Sequence, residues 1–225
     1  MASVTDPAPS GPQASQGLDR QGSHPAQDSA GLDRGRVRRS QLRVRSLVGL
    51  RWLVIAGEVV ILALAGGVLG LQAPFPLCFA LIGLAAWVNL LTGVASPGQR
   101  LMSDWEAAAH LGFDIAQLTG LVYLTGGTAN PFVLMLIAPV ALAAATLPPR
   151  PLVALGALAI AASVALAVFG LPLPHMPGAA PLSLPAPYLY FAALANVVGV
   201  LVIGGSVRQA AAESARMALA LDVTQ

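Results

Sequence analysis

Residues 152–171 read LVALGALAIAASVALAVFGL, twenty residues without a charge and with a single hydroxyl, Ser163. A bilayer core takes about 20 apolar residues of α-helix, and a run of this length and purity reads as a membrane span. The rest of the chain has the same character. Of 225 residues, 56% are hydrophobic and 10% charged, and the mean hydropathy is +0.73. A soluble domain carries about 25% charged residues, so an ordinary globular enzyme, which must solvate its surface, is excluded. The twelve basic residues are all arginine, and with ten acidic residues they give a net charge of +2. They are too scattered among apolar runs to form a nucleic-acid groove. Cys78 is the single cysteine, so no internal disulfide framework exists.

Outward from this run, five further stretches fit a span: 47–71, 75–95, 105–124, 132–147 and 188–207. The fourth is short. Proline- and glycine-containing links separate them at 72–74, 96–100, 126–131, 148–151 and 172–187. The expectation is an all-α, six-helix transmembrane bundle. With the N-terminus in the cytoplasm, all twelve arginines fall on one side or at its interface, and the loops 72–74, 125–131 and 172–187 hold none. The positive-inside rule then puts both termini in the cytoplasm. Pro139 is expected to kink the fourth span.

The ends differ from the middle. Residues 1–40 are rich in Ser, Pro, Gly, Gln and Asp and read as a disordered cytoplasmic tail. Arg34 to Arg51 crowds seven arginines ahead of the first span, a topology signal and a contact for anionic lipid heads. The sensor-like membrane region is taken as 41–207. Residues 208–225 read as the start of a cytoplasmic helical linker, and the chain is expected to be part of a longer protein.

Ionisable groups at membrane depth cost several kcal/mol unless paired or facing a cavity. In the third span Glu106, His110, Asp114 and Gln117 are spaced four, four and three, one stripe on a helix face. Glu58 lies about 16 Å into the first span and Asp114 about 15 Å into the third. Facing each other, the two carboxyls would share a proton, with His110 as a relay. The functional set is thus Glu58, His110, Asp114 and Gln117, with a polar seam as the purely structural reading. Asn89 and Asn196 read as interhelical hydrogen-bonders. Arg51 and Trp52 read as an interfacial snorkel and a belt aromatic. No metal site is expected.

Between the third and fourth spans stands Gly126-Gly127-Thr128-Ala129-Asn130-Pro131-Phe132. Gly-Gly before Asn-Pro is a turn signal by itself. It also offers backbone N–H groups, an amide and an aromatic face, which suit a flat ligand with two carbonyls and an apolar tail. This heptad, with HLGFDIAQLTGLVYLT at 110–125 and VRSLVGLRW at 44–52, resembles the membrane domain of the RegB/PrrB/ActS group of redox-responsive sensor histidine kinases. The resemblance covers roughly 41–225, and all five fixed positions of the Gly-Gly-x-x-Asn-Pro-Phe motif are met.

It implies a six-span input domain of the bacterial inner membrane that binds ubiquinone near Gly126, Gly127, Asn130, Pro131 and Phe132, works as a homodimer and addresses a response regulator. The family's phosphoacceptor box and ATP-binding region have no counterpart here. His24, His110 and His175 lack an acidic follower, no ATP lid is present, and Cys78 is intramembrane. No catalytic residue is therefore expected within 1–225, and ATP would bind only in a kinase region outside it. A different class, a small proton-coupled transporter using Glu58, His110 and Asp114, is the alternative. It lacks a visible inverted repeat or broken helix pair.

Overall fold

The computed structural model describes residues 44–95 and 102–222. The tail expected at 1–40, most of the arginine cluster and the loop containing Arg100 lie outside the described residues. The described chain is all-helical. Helix α1 is Val44–Ala63, continued by a π-helical turn Leu64–Val68. Helix α2 is Phe75–Ala95 and α3 is Asp104–Leu124. Two 3-10 turns, Gly127–Ala129 and Pro131–Leu136, lead into α4, Ile137–Thr146. Helix α5 is Pro149–Phe169 and α6 is Ala186–Asp222.

Four segments are long and apolar enough to cross a membrane by length and composition: Ser46–Val68, Phe75–Ala95, Pro149–Phe169 and Ala186–Ala218. Less than a third of each is covered by protein. Large apolar side chains such as Leu53, Trp87, Val94, Phe169 and Phe191 point outward, the arrangement of a chain whose solvent is hydrocarbon. Helix α3 has the length of a span, but its stripe of polar residues lowers its hydropathy. Its start is fixed by a capping box, in which Glu106 N–H donates to Ser103 Oγ and Ser103 N–H to a Glu106 carboxyl oxygen.

One expectation changes. The fourth apolar segment is not one helix from 132 to 147: its first turns are 3-10, and only Ile137–Thr146 is α-helical. Pro139 explains the switch. Its ring excludes a normal α-turn before it, so the α-helix begins where proline falls in the first turn and its absent N–H is not needed. Pro139 therefore marks a helix start, not a mid-span kink. The sixth span and the linker are one helix of 37 residues, about 55 Å long.

Helix α3 stands at the centre. It packs with α4 and α5 in a core containing Leu111, Ile115, Leu136, Val140, Ala143, Leu155 and Ala159. On its other side Leu121 joins a second core with Ile55 and Leu62 of α1 and Cys78, Ile82 and Ala85 of α2. Helix α6 lies on α4 and α5. Asn196 Nδ2 donates to Ser163 Oγ at 2.6 Å, and Asn89 Nδ2 donates to the Val48 carbonyl. Both asparagines are fully buried, the interhelical role expected of them. Cys78, also fully buried, is a packing residue.

The three arginine-free loops meet at one end. Gln72 and His175 exchange backbone hydrogen bonds, and Leu171 N–H donates to the Tyr123 carbonyl. Gly127, at φ 58°, presses on the end of α5. A Cβ there would stand 2.7 Å from the Leu166 carbonyl oxygen and 2.8 Å from Gly170 Cα. At the opposite end Arg208 Nη1 donates to the Leu147 carbonyl at 2.6 Å, tying α6 to the end of α4. Gly127→Ala is therefore expected to destabilise the protein by about 1–3 kcal/mol, read as a lowered Tm in detergent. An unchanged Tm would mean that the close approach of this turn to α5 does not matter.

Candidate functional site

Helices α1 and α3 run parallel and are joined by two polar contacts of the same sequence separation. Arg51 Nη2 donates to the His110 carbonyl at 2.9 Å, and Gln117 Nε2 donates to Glu58 Oε2 at 2.9 Å, each pair 59 residues apart. Arg51 and Glu58 are two turns apart on α1, as His110 and Gln117 are on α3, so one helix register satisfies both. Arg51 Nη2 also forms an ion pair with Asp114 Oδ1 at 2.7 Å. Its Nη1 lies 3.5 Å from His110 Nδ1, and its guanidinium lies 5.6 Å from the centroid of the Phe113 ring.

This corrects one expectation. Arg51 does not snorkel to the interface. It is 5% exposed and buried against α3, because Asp114 offers it a charge that lipid heads would otherwise supply. Asp114 and Glu58 line the same cavity, and each has a partner of its own: Asp114 pairs with the arginine, and one oxygen of Glu58 accepts from the glutamine. Of the stripe, His110, Asp114 and Gln117 meet α1, whereas Glu106 belongs to the helix cap. Arg51 is the site residue that sequence reading missed. The matched seven-residue spacings, 51 to 58 and 110 to 117, were the available signal.

Two apolar cavities flank this ladder. One, of about 290 Å³, is lined by Glu58, Leu62, Leu118, Thr125, Asn130 and Phe132 among others. The second, of about 140 Å³, is lined by Arg51, Glu58, Asp114, Gln117, Met135 and Pro139 among others. Glu58, Leu118 and Met135 line both. Together they make a slot between α1 and α4 backed by α3, with Glu58 at the junction. Glu58 is 8% exposed, and its Oε1 has no hydrogen-bond partner among the described residues.

The heptad contributes unevenly. Asn130 and Phe132 line the larger cavity. Gly126 lines a separate cavity of about 270 Å³ on the α5 side, with Thr128 and Leu173. Gly127 and Pro131 line none of these three. Asn130 is largely committed to the turn. Its Nδ2 donates to the carbonyl and the hydroxyl of Thr125, and its Oδ1 accepts from the Phe132 N–H. Phe132 is 40% exposed and forms a wall of the cavity.

Over 183 residues, 81% of its length, the chain is 37% identical to a sensor histidine kinase RegB of Cereibacter sphaeroides. The chain belongs to the RegB family. A second RegB, from Cereibacter sphaeroides strain ATCC 17023, is 37% identical over 78 residues, 35% of this chain and 17% of that protein. The first match spans 39% of the length of its RegB relative. No protein-family model matches the chain, and no solved structure matches it. Family membership and the apolar helices together mark the chain as a RegB-family membrane sensor domain.

The Arg51–Asp114 pair sets a stability expectation. Removing one partner of a buried pair leaves the other unpaired, at a cost of about 3–5 kcal/mol, whereas an apolar replacement of both is often close to neutral. Arg51→Met is thus expected to lower the midpoint of unfolding in mixed micelles by that order, and Arg51→Met with Asp114→Leu to recover most of it. Equal loss in the single and double variants would show the pair to be uncoupled.

Proposed function

We propose that this chain is the quinone-sensing transmembrane input domain of a two-component sensor kinase, with ubiquinone bound beneath the Gly-Gly-x-x-Asn-Pro-Phe turn. The observation that carries this reading is the apolar cavity bounded by Asn130 and Phe132 at the turn and by Glu58 deeper in the bundle. Ligand sites of this kind combine an apolar lining with a few convergent polar groups. A quinone asks for that combination: an apolar slot reached from lipid, and polar contacts for two ring oxygens.

On this reading the protein crosses the inner membrane six times with both termini cytoplasmic. The four long apolar segments and α3 supply five crossings, and the 3-10 segment with α4 supplies the sixth, thinned by its neighbours. The α5-side and α1-side loops clustered with the heptad would face the periplasm. Helix α6 would carry the signal towards the cytoplasm and pair with a second copy. The ATP-dependent histidine phosphorylation and the response regulator that completes the circuit belong to the portion of RegB that this chain does not span.

A proton-coupled carrier is less well supported by the side chains. Arg51 stands between His110 and Asp114 with bonds to both, and Gln117, which carries no exchangeable charge, is the partner of Glu58. These groups do not line up as a proton path. The test is titration of the purified protein with decyl-ubiquinone, alongside proton-flux assays in vesicles. Saturable binding without flux is expected, and Asn130→Ala, which loosens the turn over the cavity, should weaken binding roughly tenfold, the equivalent of one ordinary hydrogen bond. Flux without quinone binding would overturn the sensor reading.

A further inference from the structure

The middle of the slot, where the two cavities adjoin, holds a feature that neither the packing of the bundle nor the heptad uses. Glu58 is more than nine-tenths buried, one of its carboxyl oxygens is satisfied by Gln117, and the other has no partner. A buried polar atom left unpaired is costly, and native structures rarely keep one without a reason. Here the residue lines both cavities at their junction. The terminal torsion of a glutamate is soft, so a small turn of the carboxyl presents the free oxygen to the slot. Asn130, by contrast, has spent both of its amide hydrogens and one lone pair on its own turn.

Resting on the quinone reading, we propose that Glu58 and Gln117 hold the polar head of the bound quinone, deep in the bundle, and that the heptad forms the wall above it. The chemistry suits both oxidation states of such a ligand. A quinone carbonyl accepts hydrogen bonds, and Gln117 has a second amide hydrogen beyond the one it gives Glu58. A quinol hydroxyl donates, and the free oxygen of Glu58 accepts. The apolar remainder lies along the slot, against Leu118 and Met135.

Two measurements test this on the whole chain in mixed micelles. First, decyl-ubiquinone is titrated into the unaltered protein, Glu58→Gln and Glu58→Leu. Glu58→Gln keeps the shape and an oxygen acceptor, and its affinity should stay within about threefold. Glu58→Leu should bind roughly tenfold or more weakly, the scale of one lost hydrogen bond in a dry site. Second, a photoreactive azido-quinone, which needs no altered protein, should label the stretches around Glu58 and Gln117. Binding that survives Glu58→Leu unchanged, or label confined to 126–132, overturns the head-group assignment while leaving the sensor reading intact. If the unaltered protein binds no quinone, both fall.

Discussion

The paired contacts between α1 and α3 fix how these two helices meet, and the slot depends on that register. In lipid no hydrophobic force drives helices together, because the surrounding tails are as apolar as leucine. Association then rests on close packing and on polar groups that have no better partner. Arg51 with Asp114 and His110, and Glu58 with Gln117, are such groups. Each by itself would tolerate sliding of one helix by a turn at the cost of a new partner. Two contacts separated by two turns on both helices do not, since any slide breaks both and strands a buried charge. The register of α1 on α3 is therefore set electrostatically, while packing sets the rest.

That division has consequences for movement. Helix α3 shares one apolar core with α4 and α5 and another with α1 and α2. The first is filled largely by alanine, valine and leucine. Helix α4 is short, entered through 3-10 turns, and carries α6 on its other side through a tight approach of Gly199 to Ile137 and the hydrogen bond from Arg208 to the Leu147 carbonyl. A molecule lodged between α1 and α4 would push against the less constrained of its two walls. Under the proposed function this is a physical route from slot to α6, and its size is limited by how differently the ligand binds the two arrangements.

Much of the architecture was legible in the sequence for simple reasons. Proline and glycine links bound the helices because their backbone chemistry leaves little choice, so Phe75–Ala95 was read to the residue and the three arginine-free loops share one end. What failed were matters of pairing. Periodicity placed His110, Asp114 and Gln117 on one face, but a face does not say what it meets. The arginine at 51 was read by its distance from the membrane edge, and that distance does not reveal that α3 offers a carboxylate at the same depth. Likewise Pro139 signalled a disruption, but whether it bends a helix or begins one depends on the turn before it.

Most positions of the heptad are accounted for by the turn they build. Gly126 and Gly127 both have positive φ, and a side chain at either would collide with Leu173 or with the end of α5. Asn130 holds the turn through Thr125, which in turn donates to the Leu121 carbonyl at the top of α3. Pro131 starts the 3-10 segment that delays α4. These four positions are explained by the turn alone, and among the five only Phe132 has a side chain left over. A chain that needed merely to connect α3 and α4 would not need so specific a construction. What the construction achieves is to hold the beginning of α4 away from α1 at a fixed distance, and the space so kept open is the slot in which Glu58 lies.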